Sequence, residues 1–388
     1  MQFAQSQTTL LSLLCSSCLL SLSVASAEPA SDWNPIASPA AALKTRLGEL
    51  GISYELDLSF TYQYASEVTM GKSHFATFPW RLLGDWEAID SDRFGQTYLE
   101  WNLLGAVGLN YDPNEQTLAY NVGSVSYPNT NVYPDPFAFN ELFLTQVSPS
   151  GRFELLVGKI DMYYLFDLNS IASDGFTNFL SYALESNLSI PFPEYGGLGA
   201  VAYADVTQDL SVMLGGGDSS SDQPLAFCKT LADGSWWQIL EIEWSHEIEG
   251  LGKGVYRLTP WHNHLSGEDG WGVGLNVDQE LGVPWLSAFL RAGVGDADVT
   301  PVERFVSGGL VILEPLGRSG DRIGVGAAWS KPSPEIGFRN ETLLEVFYRI
   351  ALTPSIYLTP DLQIIFSPAE NPDHGVVVVP GLRLVFQL

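Results

Sequence analysis

The sequence predicts an all-β protein whose antiparallel strands close into a transmembrane β-barrel. Three observations carry this reading: side chains that alternate in character along most of the chain, few charges beside many aromatics, and no internal apolar run long enough for a membrane helix. In the stretch YELDLSFTYQY, Leu56, Leu58, Phe60, Tyr62 and Tyr64 alternate with Glu55, Asp57, Ser59, Thr61 and Gln63. Successive side chains of an extended chain point to opposite faces, so this strand has one apolar face and one polar face. A soluble sandwich turns the apolar face into a core, whereas a membrane barrel turns it to lipid around a polar lumen. Only 16% of the 388 residues are charged, while 12% are aromatic, with 11 Trp and 16 Tyr. That balance suits a wall that meets lipid and is girdled by Trp and Tyr, although a large soluble β-core would share it.

In chain order, the apolar run Leu10 to Val24 followed by Ala25, Ser26 and Ala27 reads as a secretory signal cleaved after Ala27, despite the lack of Lys or Arg before it. Cys15 and Cys18 fall in that segment, which leaves Cys228 without a disulfide partner. Residues 28–50 read as a short periplasmic segment. In it Ala41, Leu43, Leu47 and Leu50 recur near helical spacing, and a Gly follows where the helix would end. From Gly51 to Leu388 strand follows strand, punctuated by Gly, Pro, Asp and Asn. Tyr98, Glu100 and Asn102 oppose Leu99, Trp101 and Leu103, and Glu241, Glu243, Ser245 and Glu247 oppose Leu240, Ile242 and Trp244. Arg257 and Thr259 oppose Tyr256 and Leu258, and Ser287 and Arg291 oppose Leu286, Ala288 and Leu290. Arg322 opposes Ile323, Val325, Ala327 and Trp329, while Glu345 and Arg349 oppose Leu344, Val346, Tyr348 and Ile350. Trp101, Trp244, Trp285 and Trp329 are placed at strand ends, as members of interfacial girdles.

The charges on these strands separate barrel from sandwich. They are Arg and Glu with almost no Lys, set among small residues, as expected where side chains of both signs face one another across a confined lumen. The chain ends on GLRLVFQL, with Leu382, Leu384, Phe386 and Leu388 opposite Arg383 and Gln387. Such a closing strand is what an outer-membrane barrel presents to the barrel-assembly machinery. The net charge of −27 makes nucleic acid an improbable partner, and the acidic stretches GDWEAIDSDRFG, LGGGDSSSDQP, SGEDGWG and VGDADVTPVER read as solvated loops. No EF-hand pattern is present, His262 and His264 in WHNH read as an end-of-strand loop rather than a metal site, and GDSS at Gly217 to Ser220 reads as a turn. No cofactor and no metal is expected.

Three stretches resemble the carbohydrate-selective porins of the OprB family. They are FELLVGKIDMYYLFDLNSIASDGFTNFLSYALESNLSIPFPEYGGLGAV from Phe153 to Val201, DRIGVGAAWSKPSP from Asp321 to Pro334, and the closing segment Glu341 to Leu388. Together they cover about half of the chain after the signal. The resemblance implies a barrel of roughly sixteen strands in a Gram-negative outer membrane, in contact with outer-membrane lipid, that passes small sugars passively. At its constriction, Arg forks and carboxylates would replace the hydration of vicinal hydroxyls, and aromatic faces would stack on the sugar ring.

The candidate pore-lining residues are Glu345 and Arg349 first, then Arg322 and Arg383 from matching strands, then Glu100, Arg257 and Arg291 from alternation alone. Lys159, Asp161 and Asp174 join them because the chain there leaves a strand for a loop able to fold inward. For each, the competing role is that of a wall or turn residue without solute contact. No enzyme activity is expected, since no Ser and His with an orienting acid stand out near one rim. A general or cation-preferring pore, and a barrel enzyme or structural barrel, are the alternatives. Which sugar passes and whether the chain is a homo-oligomer stay open.

Overall fold

A computed structural model describes residues 37–112, 117–219, 224–227, 234–265 and 267–388. The expected signal segment, Cys228 and Ser220 lie outside the described residues. The first element is helix α1, Ala37–Gly48. Sixteen strands follow: β1 Ile52–Tyr64, β2 His74–Ser91, β3 Gly95–Gly108, β4 Ala138–Val147, β5 Phe153–Ile160, β6 Gly197–Asp205, β7 Leu210–Asp218 and β8 Trp236–Ile248; then β9 Gly252–Leu265, β10 Glu268–Glu280, β11 Leu286–Gly295, β12 Val302–Leu313, β13 Arg322–Pro332, β14 Glu341–Thr353, β15 Ile356–Phe366 and β16 Val376–Gln387. Each strand pairs antiparallel with its sequence neighbours, and β1 pairs with β16, from Asp57 opposite Gln387 to Gln63 opposite Gly381. Closure leaves no free edge, so every strand finds partners on both sides. No helix among the described residues is long and apolar enough to cross a membrane.

The alternation read from the sequence sets the faces. On β15, Gln363 is 0% exposed and Leu362 is 42% exposed, and on β16 Arg383 is 0% exposed beside Leu382 at 46%. The exposed apolar rows look outward, where lipid takes the place of a core, and the polar rows look into the lumen. Both described ends of the chain lie at the rim of short turns such as residues 92–94, 148–152 and 354–355. There Lys44 of α1 sits with its Nζ 5.5 Å from the centre of the Tyr54 ring. The opposite rim carries the long connections, residues 109–137 between β3 and β4 and 161–196 between β5 and β6.

Several sequence expectations are corrected. Parts of the acidic stretches are strand, since Gly84 to Ser91 belongs to β2, Leu214 to Asp218 to β7 and Glu268 to Gly272 to β10. Gly217 and Asp218 therefore end a strand rather than form a turn, and His262 and His264 lie within β9, both against Asp269 across the hairpin. Trp101 sits in the middle of β3, where a Cβ on Gly84 would meet its indole at 2.4 Å; the ring covers a bare patch of neighbouring backbone instead of marking a rim.

The lumen is also less polar than expected. Phe289, Phe305 and Phe347 from the wall pack with Phe179 and Leu184 of the β5–β6 connection. A second cluster joins Trp237, Ile239 and Trp261 to Met162, Phe166 and Ile190. Alternation in these strands is apolar on both faces because part of the inner face is a core for the loop, not a water-filled surface.

The two faces make opposite predictions for charge. Leu362→Arg, near the middle of β15 on the lipid side, is expected to cost about 2–4 kcal/mol, and Phe366→Arg at the strand's end about 0–1 kcal/mol. Urea unfolding of protein reconstituted in lipid vesicles measures both, and equal costs would mean that this face does not meet a bilayer.

Candidate functional site

Two connections turn into the barrel. A chain segment inside a lumen must find partners for its backbone N–H groups, and strand pairing cannot supply them there. The β5–β6 connection contains a 3₁₀ turn, Met162–Tyr164, and a short helix, α3, Tyr182–Glu185. The β3–β4 connection contains α2, Leu118–Val122, capped by the Thr117 side chain and ended by Gly123 at φ 73°. The two segments are laced together, since Thr130 N donates to Leu180 O at 2.9 Å, Tyr182 N to Tyr127 O at 3.0 Å and Ser181 Oγ to Ser126 O at 2.7 Å.

The wall supplies most of the remaining anchors as carboxylates. Glu345 accepts from the backbone N–H of Leu180 at 2.6 Å and Ser181 at 3.0 Å. Glu341 accepts from Ser126 N at 2.9 Å, Ala369 N at 2.8 Å and Ser124 Oγ at 2.7 Å. Glu241 takes Asp167 N at 2.8 Å, and Glu141 takes Asp161 N at 3.0 Å. Small wall residues let the loop approach, for a Cβ at Gly326 would lie 2.9 Å from Leu184 Cδ1 and one at Gly293 2.0 Å from Ser189 Oγ.

This lacing divides the ten sequence candidates. Five are turned to anchoring. Glu345 is 1% exposed behind the loop it holds. Arg383 donates to the carbonyls of Gly175 and Asn178, the latter at 2.6 Å. Arg291 bonds Asp167 Oδ2 at 3.0 Å, Leu184 O and Ser173 Oγ. Arg257 lies between Glu243 and Asp278, both at 2.8 Å, and Lys159 donates to Ala226 O beneath the ring of Phe227. The other five, Glu100, Asp161, Asp174, Arg322 and Arg349, line a cavity of about 1310 Å³ that runs beside the loop.

The tip of the β5–β6 connection meets a basic sector of wall. Arg81 on β2 bonds Asp57 Oδ2 at 2.7 Å and Asp174 Oδ1 at 3.1 Å, with its guanidinium 4.6 Å from the centre of the Phe176 ring. Its depth in the lumen acts to raise the Asp174 carboxyl, but Arg81, the Thr177 hydroxyl and the Phe176 amide outweigh this and hold it below the ordinary carboxylate range. Burial keeps Glu185 above that range although it accepts from Tyr163 OH at 2.6 Å and Gly175 N at 2.9 Å. Arg322 donates to Asn178 Oδ1, and Arg349 to Gly320 O at 3.2 Å.

Sequence reasoning missed Arg81 and the aromatic side of the cavity. Arg81 follows Pro79, and a proline inside an alternating run reads against a strand, so β2 did not declare itself. Tyr127, Tyr182 and Tyr163 follow one another at 6.2 and 5.8 Å between ring centres, with Tyr164 5.2 Å and Phe192 5.8 Å from Tyr163. These rings come from both inward connections, and all of them line the cavity. The YY pair at Tyr163 was visible in the sequence; its meeting with Tyr127 and Tyr182 depends on the lacing of two distant segments.

The likeness read from the sequence holds up against known proteins. Residues 252–388 match the family described as "Carbohydrate-selective porin, OprB family". The chain is 28% identical over 259 residues to Porin AaxA of Chlamydia abortus, covering 64% of this chain and 56% of that protein. To Porin AaxA of Chlamydia pneumoniae it is 29% identical over 256 residues, covering 63% and 57%. The chain thus spans little more than half the length of these relatives. Among solved structures, the high-pH form of Pseudomonas putida OprB superimposes with a TM-score of 0.74 at 17% identity, over 93% of this chain and 99% of that one. The outer membrane channel DcaP of Acinetobacter baumannii gives 0.53 at 11% identity, over 87% and 97%. At these identities the likeness is one of fold, that of this chain's closed barrel.

The anchoring role of Glu345 is open to measurement. Glu345→Leu leaves two backbone donors without their acceptor, and amide exchange at Leu180 and Ser181 is expected to quicken at least about fivefold, from a penalty of roughly 1 kcal/mol or more per stranded group. Unchanged exchange would show that the loop is held from elsewhere.

Proposed function

We propose that this OprB-type porin barrel is a passive outer-membrane channel for small sugars, with its selectivity set where the β5–β6 connection meets the wall. The observation that carries the reading is the pairing, in one cavity, of a row of part-exposed tyrosines with a group of Arg and acidic side chains. A sugar entering a narrow passage sheds water from its hydroxyls, and that loss is offset only where side chains replace those bonds. Guanidinium forks donate to adjacent hydroxyl oxygens, and carboxylates accept from the hydroxyl protons. Tyrosine faces cover the C–H side of the ring, an apolar surface that water serves poorly.

The geometry supports a narrower set of solute contacts than the alternation suggested. Asp174 faces the cavity and Arg81 joins it as a residue that both fixes the loop tip and lines the passage, while Glu100 and Asp161 border the cavity nearly fully buried. Glu345, Arg383, Arg291, Arg257 and Lys159 support the loop or the wall from behind. A barrel whose lumen is occupied by a laced loop and lined by a continuous cavity is suited to conduct solute. The family match and the fold likewise favour a channel over an enzyme.

Single-channel conductance in a planar bilayer, titrated with glucose, maltose and a neutral non-sugar of similar size, tests the reading. Saturable block by a sugar and none by the control is the expected result; indifference to every sugar would make this a general pore. Tyr127, 50% exposed at the end of the aromatic row, is the substitution to add. Tyr127→Ala is expected to weaken sugar block by about two- to tenfold, the value of one aromatic contact, with open-channel conductance preserved or raised.

A further inference from the structure

Arg322 and Arg349 face each other across the β13–β14 pairing, and both line the cavity. Like charges directly opposite on neighbouring strands repel, and a fold usually places a carboxylate between them. Here it does not. Among the described residues no Asp or Glu oxygen lies within 4.0 Å of either guanidinium, while Arg81, Arg257 and Arg291 each have one within 3.0 Å. The carboxylates in the neighbourhood are engaged elsewhere: Asp174 at the loop tip by Arg81 at 3.1 Å and Thr177 Oγ1 at 2.7 Å, and Asp321 by Arg318 Nε at 2.8 Å, Tyr348 OH at 2.7 Å and Ala351 N at 2.8 Å.

The donors of the pair are largely uncommitted. Arg322 gives one N–H to Asn178 and Arg349 one to the Gly320 carbonyl, and the Nε atoms of both are buried without a partner. A guanidinium carries five donors, so the two together keep several without a protein partner beside the cavity that both residues line. The Arg349 guanidinium is held 4.9 Å from the centre of the Tyr357 ring, which fixes its plane without neutralising it. Asn178 and its neighbours bring the loop tip to the same place, so a solute passing the tip meets both forks.

We propose that Arg322 and Arg349 form an oxyanion site within the channel, which takes sugar-sized solutes bearing a carboxylate or a phosphate. This rests on the channel reading and extends it from neutral sugars to sugar acids or sugar phosphates. An oxyanion bridging the two forks relieves their repulsion and occupies the idle donors. A neutral hydroxyl does the second but not the first. The site lies on the wall, so the ring of the solute can still reach the aromatic row.

The test uses the full-length protein in planar bilayers at about 0.1 M salt, with glucose, glucuronate and glucose 6-phosphate as blockers. Wild type is expected to bind at least one of the two anions about tenfold or more tightly than glucose, the value of a charge-assisted pair. The anion that does so identifies carboxylate or phosphate as the preferred group. In the double variant Arg322→Gln, Arg349→Gln the anion-to-glucose ratio should fall to about one. Arg322→Lys with Arg349→Lys, which keeps the charge but loses the fork, should retain part of the ratio and guards against a misfolded glutamine variant. A wild type with no anion advantage, or an advantage that survives the glutamine substitutions, overturns the site. Glucose block without an anion advantage would leave the sugar channel standing and remove this site. Anion block that depends on both arginines, with no glucose block, would do the reverse.

Discussion

The structure depends on one constraint: backbone that enters the barrel leaves the strand ladder and must have its N–H groups met by something else. In this chain the partners are carboxylates that project from the wall at positions fixed by strand parity. Glu345, Glu341, Glu241 and Glu141 each receive one or more amides from the inward segments. A hydrogen bond contributes about 0.5–1.5 kcal/mol net, and its loss strands a donor out of reach of bulk water at a cost of about 1–3 kcal/mol. The position of the loop, and with it the shape of the cavity, is therefore written into the wall's acids.

Packing completes what the carboxylates begin. Phe179 lies against Phe289 and Phe347 at 5.4 and 5.0 Å between ring centres, so the inner face of β11 and β14 acts as a small core for the loop. Glycines at 293 and 326 remove the side chains that would hold the loop off. A loop fixed by both directional bonds and apolar contact can keep its tip at one place on the wall, which a selective passage requires and a flexible flap would not provide.

The barrel was legible in the sequence because a period of two is local: Leu56 and Asp57 declare their faces without reference to any distant residue. The sequence candidates were legible only to the same depth. Glu345 and Arg349 share one strand and one parity, yet the first lies behind the loop and the second lines the cavity, because what covers a lumen position is decided by a segment some 165 residues away. Lys159, Asp161 and Asp174 pointed to the right loop but not to which of its faces meets water. Arg81 escaped notice because Pro79 interrupted the pattern that would have assigned it. Beyond the Tyr163–Tyr164 pair the tyrosine row had no sequence signature, since it is assembled from two connections that are neighbours only after folding.

The same division explains how a chain of net charge −27 can present a basic sector to its channel. Formal charge counts every carboxylate alike, whereas the lumen does not. Glu341, Glu345 and Glu241 are turned toward amides of the inward segments, and none of the three lines the cavity. Arg81, Arg322 and Arg349 stand on the channel side of the same loop. Over distances longer than the roughly 8 Å screening length of physiological salt, a solute responds to the charges that line its path and not to the total. The loop's demand for anchors thus turns these three acids away from the channel, while Asp174, Glu185 and other carboxylates still line it with the arginines, so that the field a solute meets is local to the sector it passes and is set by how the loop is tied down.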